Sequence, residues 1–192
     1  MKTIILLVLF ALSALGSGDR GFEVKYRIET PLGDITVELY PDKAPVTAAN
    51  FMYYANKHLY NGTTFYRVCT PENEADRDVK IEVIQGGDVP EKKSRPPIFL
   101  ETTRQTTLSH LDGTISMARD EPNSATSSFF ICIGDQPELD YGGKRNPDGQ
   151  GFAAFGRVIE GMDVVRKIQQ LKEENQYLTD PVEIIKVKRL KK

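Results

Sequence analysis

Short apolar runs alternating with charged residues dominate the chain. Tyr26 and Ile28 sit between charged neighbours, Thr30-Pro31-Leu32-Gly33-Asp34 supplies turn residues, and Ile35, Val37 and Leu39 alternate again. A period of two broken by a turn predicts a hairpin with one buried face. The period then changes. Pro45 suits a first helical turn, and Val46, Ala49 and Tyr53, with Phe51 and Ala55, predict a helix over 46–58 that buries one side. Asn61-Gly62 turns the chain into the β-forming run 63–69, and a charged loop over 71–78 separates it from a strand at 81–85. Further short strands are predicted at 114–118, 129–133 and 155–159. After Gly161 a second helix carries Val164, Val165, Ile168 and Leu171 on one face, and a basic-tailed strand over 182–190 ends the pattern. Many short strands and two helices predict a mainly β fold, a closed barrel capped by helices. An open β-sandwich fits the same periodicity.

Composition adds a boundary at the N-terminus. Lys2 precedes the apolar run Ile4–Leu12, and small residues follow from Ser13 to Gly18. That three-part layout is a secretory signal peptide, and the run is far short of the ~20 residues a bilayer span needs. We therefore expect residues 1–18 to be removed, with cleavage near Gly16 or Gly18, and residues 19–192 to form one domain. An exported protein is implied, periplasmic or extracellular, or in the endoplasmic reticulum lumen if eukaryotic. The ending Arg189-Leu190-Lys191-Lys192 lacks the lumenal retention tetrapeptide, and bacterial-looking motif variants along the chain lean the expectation toward a bacterial envelope.

Charge narrows the partners. Lysine and arginine total 25 against 27 aspartates and glutamates, so a net charge of −2 argues against nucleic acid as the primary partner. Cys69 and Cys132 lie in apolar strand-like runs, where buried free thiols are the ordinary outcome, although export would permit a disulfide. Neither cysteine forms a zinc spacing with His58 or His110, and no metal, nucleotide or redox cofactor is expected.

Four motifs carry more. Asn50-Phe51 with Tyr60-Asn61-Gly62-Thr63-Thr64-Phe65-Tyr66-Arg67-Val68, then Gln85-Gly86-Gly87-Asp88, resemble the first two signatures of the cyclophilin family. Gly113-Thr114-Ile115-Ser116-Met117-Ala118-Arg119 with Ser127-Ser128-Phe129-Phe130-Ile131 resembles the third, and the run from Phe155 to Val165 the last. They stand in the family's order across roughly residues 24–190. The resemblance implies an eight-stranded barrel capped by two helices, with a shallow outer groove for Xaa-Pro segments. It implies a peptidyl-prolyl cis-trans isomerase acting as a monomer on proline-containing unfolded or extended polypeptides, without stable membrane insertion after cleavage.

The chemistry agrees. A peptide bond resists rotation by about 18–20 kcal/mol because the nitrogen lone pair is delocalised, and proline leaves the exchange slow. A catalyst need only stabilise the twisted bond, where the lone pair sits on the prolyl nitrogen. A permanent guanidinium donor suits that task. By resemblance Arg67 is the catalytic arginine and Gln85 binds the substrate backbone. Val83, Phe130 and Leu139 line the proline pocket, while Ala118 and the backbone at Arg119 wall the preceding residue, with the Arg119 side chain facing solvent. Phe152 stands where many members carry a donor histidine, Ser128 where they carry a glutamine, and Glu138 where a tryptophan borders the groove. The family's aromatic before the glutamine falls on Ile81 or Glu82. The insertion 70–80 is acidic over 72–78 and is expected to favour basic substrates if it borders the groove. A catalytically weak module binding proline-containing segments as a chaperone or scaffold is the alternative. A hydrolase is disfavoured, because His58 in the helix and His110 in a loop offer no His-centred constellation.

Overall fold

The computed structural model describes residues 24–191, so the leader expected at 1–18 lies outside the described residues. β1 (Val24–Thr30) and β2 (Gly33–Leu39) form the expected hairpin, in register from Val24 opposite Leu39 to Thr30 opposite Gly33. The Thr30 hydroxyl closes the turn by donating to the Gly33 carbonyl at 2.7 Å and accepting from the Leu32 N–H at 3.1 Å. Tyr26, Ile28, Ile35, Val37 and Leu39 all point inward, as alternation requires.

The other strands are β3 (Thr63–Cys69), β4 (Val83–Gly86), β5 (Thr114–Met117), β6 (Phe129–Cys132), β7 (Ala153–Glu160), β8 (Glu173–Glu174), β9 (Tyr177–Ile184) and β10 (Lys186–Arg189). All pairings are antiparallel, in the order β10-β1-β2-β7-β5-β6-β4-β3-β9-β8. β9 and β10 are one run of chain interrupted at Ile185. Its first half pairs with β3 and its second with β1, so a single segment joins the two ends of the sheet. The Ile185 N–H donates to the Glu29 carbonyl at 2.9 Å across that junction.

The C-terminal strand therefore starts earlier than alternation indicates. Residues 177–181 carry mostly exposed polar side chains, and their pairing is set by β3 rather than by burial. β8 is two glutamates, too short to leave a pattern.

Helix α1 (Pro45–Asn56) corrects the predicted face. Val46, Ala49 and Tyr53 point outward, and Thr47, Ala48, Asn50, Phe51, Tyr54 and Ala55 point in. Two polar residues go inside, each held by at least one hydrogen bond, although the Asn50 side-chain oxygen has no partner. The Thr47 hydroxyl and N–H both donate to Glu101, at 2.7 and 2.8 Å, and Asn50 donates to the Thr126 carbonyl. Tyr53 instead lies under the Arg95 guanidinium, 4.5 Å from its ring centre. His58 falls beyond the helix, exposed and with a φ of 57°. A four-residue helix, α2 (Thr103–Thr106), was not signalled by periodicity, whereas α3 (Met162–Gln169) buries Val164, Val165 and Ile168 as expected.

The core is aromatic at its centre. The Phe51 ring lies 5.2 Å from Tyr60, 5.4 Å from both Phe129 and Phe155, and 5.9 Å from Tyr26. The phenols of Tyr60 and Tyr26 donate to the Ser127 carbonyl and the Asn56 side chain, so their burial leaves no polar group unpaired.

Candidate active site

A row of core residues crosses the sheet as Val68, Ile84, Ile131 and Ile115. The rows on either side of it must face outward. One reads Arg67, Gln85, Phe130; the other reads Cys69, Val83, Cys132. Three residues far apart in sequence thus become neighbours on the outer surface.

Regular alternation alone would send Phe65 and Arg67 to the same face. A register shift between them makes Tyr66 a bulged residue, so Phe65 enters the core while Tyr66 and Arg67 both reach the surface. After Gln85 the chain must turn sharply beneath the core aromatics. Gly87 has a φ of 80°, and a Cβ there would lie 2.5 Å from the Phe129 ring, which explains the paired glycines of this motif.

The row opens on a cleft of about 430 Å³. All eight residues singled out from the sequence line it: Arg67, Val83, Gln85, Ala118, Arg119, Phe130, Leu139 and Phe152. Its floor is a separate apolar cluster of Ile81, Val83, Phe130, Leu139, Phe152, Ala118 and the two cysteines. Phe130 and Phe152 meet edge to face, with centres 5.3 Å apart. Ile81 takes the cleft-facing place, while Glu82 accepts from Gln169 beside α3. Ser128 lines the cleft, but Glu138 does not; its carboxylate accepts from the Lys144 N–H.

Arg119 does not face solvent. Its side chain is 1% exposed, because the guanidinium holds the loop that carries Phe152. It donates to the Gly151 carbonyl at 2.9 and 2.6 Å and to both Asp148 oxygens at 2.8 and 2.9 Å, and it lies over the Phe152 ring at 5.2 Å. That fork holds the Asp148 carboxyl below its ordinary range.

A His-centred constellation also exists, against the sequence expectation. His110 Nδ1 lies 2.7 Å from Asp140 Oδ1, and its Nε2 lies 2.9 Å from Ser116 Oγ. Ser116 is fully buried, so its hydroxyl meets no substrate and acyl transfer has no access. The histidine ring stacks on Phe130 at 5.9 Å and backs the cleft floor instead.

Arg67 is held from two sides. Its Nη1 donates to Gln85 Oε1 at 2.8 Å, and its Nε and Nη2 both donate to Gln176 Oε1, at 3.1 and 2.6 Å. A guanidinium has five N–H donors, so one on Nη1 and one on Nη2 remain for a bound molecule. Gln85 Nε2 donates to the Tyr66 phenol at 2.7 Å; burial keeps that phenol above its ordinary pKa of 10.0, so it stays a neutral hydroxyl.

The acidic loop does not offer carboxylates to the cleft. Glu74 turns inward, wholly buried, and accepts from Arg145 Nη2 at 2.5 Å, Arg145 Nη1 at 2.8 Å and the Ile81 N–H at 2.8 Å. Arg77 and Arg145 line the cleft from that side. Sequence reasoning missed both, and Gln176 as well: these residues lie in loops outside the recognised motifs. Among the described residues, no group of three or more His, Cys, Asp or Glu side chains could hold a metal ion.

Comparison with known proteins shows the family and the fold. The family model for cyclophilin type peptidyl-prolyl cis-trans isomerases matches residues 25–189. Peptidyl-prolyl cis-trans isomerase A of Dickeya dadantii is 40% identical over 153 residues, covering 77% of this chain and 72% of that protein. A peptidyl-prolyl cis-trans isomerase of Acinetobacter baylyi is 40% identical over 146 residues, covering 73% of this chain and 69% of that protein. The crystal structure of a cyclophilin type isomerase of Cryptosporidium parvum superposes with a TM-score of 0.71 at 22% identity, covering 89% of this chain and 99% of that one, a likeness of fold. The chain belongs to the cyclophilin type peptidyl-prolyl cis-trans isomerase family.

Proposed function

We propose that this chain accelerates rotation about Xaa-Pro bonds in exported polypeptides, with Arg67 as the catalytic group. The observation that carries the reading is a guanidinium fixed in the cleft beside its apolar floor, with two N–H groups unspent. A proline ring seated on Phe130, Leu139, Val83 and Phe152 leaves water, and Ala118 walls the residue before it. The prolyl nitrogen then lies toward Arg67. As the bond twists, the lone pair localises on that nitrogen and accepts from the guanidinium, an interaction the planar ground state cannot make. Gln85 holds the substrate backbone through its remaining amide hydrogen. No bond is broken and no group is transferred, so the reaction needs no cofactor.

The chain acts on extended or unfolded segments, because the cleft is open on the outer surface. Export rests on the leader pattern of residues 1–18. Mass measurement of the protein recovered outside the cytoplasm should show a chain beginning after Gly16 or Gly18; a chain retaining Met1 there contradicts export by cleavage. For the activity, the wild-type protein should accelerate cis–trans exchange in an Ala-Pro peptide, and Arg67→Ala should lose about 100- to 1000-fold of that acceleration. Stoichiometric binding with no acceleration would favour a module that only holds proline-containing segments.

A further inference from the structure

We infer that Gln176 is a positioning residue for Arg67, and that the insertion 70–80 serves to hold it; the catalytic consequence rests on the isomerase reading above. Gln176 lies 109 positions from Arg67, in the β8–β9 turn, yet its one amide oxygen accepts both Nε and Nη2 of the guanidinium. Its amide nitrogen faces only acceptors, Glu74 Oε1 at 3.2 Å and the Asn73 carbonyl at 3.4 Å. A flipped amide would set NH₂ against the guanidinium and oxygen against a carboxylate, so the orientation is unambiguous.

The backbone reinforces this. Gln176 has a φ of 74°, in the left-handed region that glycine adopts without cost, and Asn175 beside it has a φ of 53°. Its carbonyl accepts from the Val68 N–H at 2.8 Å, next to Arg67 itself, and its N–H donates to the Glu173 carboxylate at 2.5 Å. A side chain is kept where the turn alone would favour glycine. Its use is visible: without it Arg67 keeps a single contact to Gln85, and a long flexible side chain regains rotamers.

Glu74 completes the chain of contacts. Fixed by Arg145 and the Ile81 N–H, it orients the Gln176 amide, which orients the guanidinium. The buried part of the insertion, Asn73 and Glu74, therefore acts behind the catalytic group, while Arg77 alone of the insertion reaches the cleft.

The test uses the full chain with Gln176→Gly and Gln176→Met beside Arg67→Ala. Glycine suits the turn, so Gln176→Gly should keep its thermal midpoint within about 2 °C of wild type, while methionine keeps the bulk but offers no amide acceptor. Both variants should lower kcat for an Ala-Pro peptide about tenfold or more, with KM within about twofold. In ¹H–¹⁵N spectra the Arg67 Nε–H should exchange slowly with water in wild type and rapidly in both variants. Unchanged kcat together with unchanged Nε–H protection overturns the inference. If wild type shows no turnover, the isomerase reading fails by itself, and Nε–H protection still decides whether Gln176 fixes Arg67.

Discussion

At the scale of single residues, the cleft shows which identities a sequence can reveal. Arg67 and Gln85 stand in short motifs, and the strand register makes them partners across one ladder position. Gln176 could not be found that way, since its value comes from a left-handed turn and a contact reached only through folding. Arg119 misled for a related reason: an arginine after a strand reads as solvent-facing until Asp148 and the Gly151 carbonyl are known to surround it. The cysteines followed expectation, for both are buried and free. They flank Val83 from opposite sides, which sets their Cα atoms roughly 9–10 Å apart by strand spacing, beyond disulfide reach. Burial pushes the Cys69 thiol up to about 11 and Cys132 well above its ordinary value. Native protein at pH 8 should therefore resist alkylation at both thiols, and denatured protein should label at two; rapid labelling of the folded chain would show a more open cleft floor.

At the scale of elements, strands were more legible than loops, because alternation reports burial and loops report little. The predicted face of α1 was wrong because apolar periodicity cannot foresee that Thr47 and Asn50 find buried partners. The insertion was read as an acidic segment favouring basic substrates for the same reason: charge counting does not reveal that Glu74 points inward at Arg145. That pair has a consequence for acid stability. Burial alone would raise the Glu74 carboxyl, but hydrogen bonds from Arg145 and the Ile81 N–H more than offset it, leaving the pKa below the ordinary 4.5. A folded-state pKa below the unfolded one stabilises above the unfolded value, and that contribution disappears as pH falls through the folded value. Glu74→Gln, which strands a buried guanidinium, should cost about 3 kcal/mol at pH 7. Its deficit against wild type should shrink once the pH drops below 4.5, in thermal melts across pH 7 to 3. A pH-independent deficit would contradict the ion pair as its source.

For the whole molecule, the barrel works as a rigid frame whose chemistry lies on its outside. The run of β9 and β10 joins both ends of the sheet, and the aromatic core behind β3, β4 and β6 holds the outward row in place. The expected barrel with two capping helices was legible in outline, and the extra strands came from the divided C-terminal run and the short β8. Phe152, Ser128 and Glu138 depart from the family pattern, yet the cleft is complete without them as donors: its floor is apolar and its guanidinium is held twice. The most direct test is magnetisation exchange between the cis and trans forms of an Ala-Pro peptide with wild type, Arg67→Lys and Arg67→Ala. The account predicts fast exchange with wild type at an unchanged cis:trans ratio. It predicts a loss of about 100-fold or more with Arg67→Ala, and a large loss with Arg67→Lys because an ammonium lacks the planar fork, while peptide binding shifts persist in all three. Equal exchange rates with wild type and Arg67→Ala would contradict it.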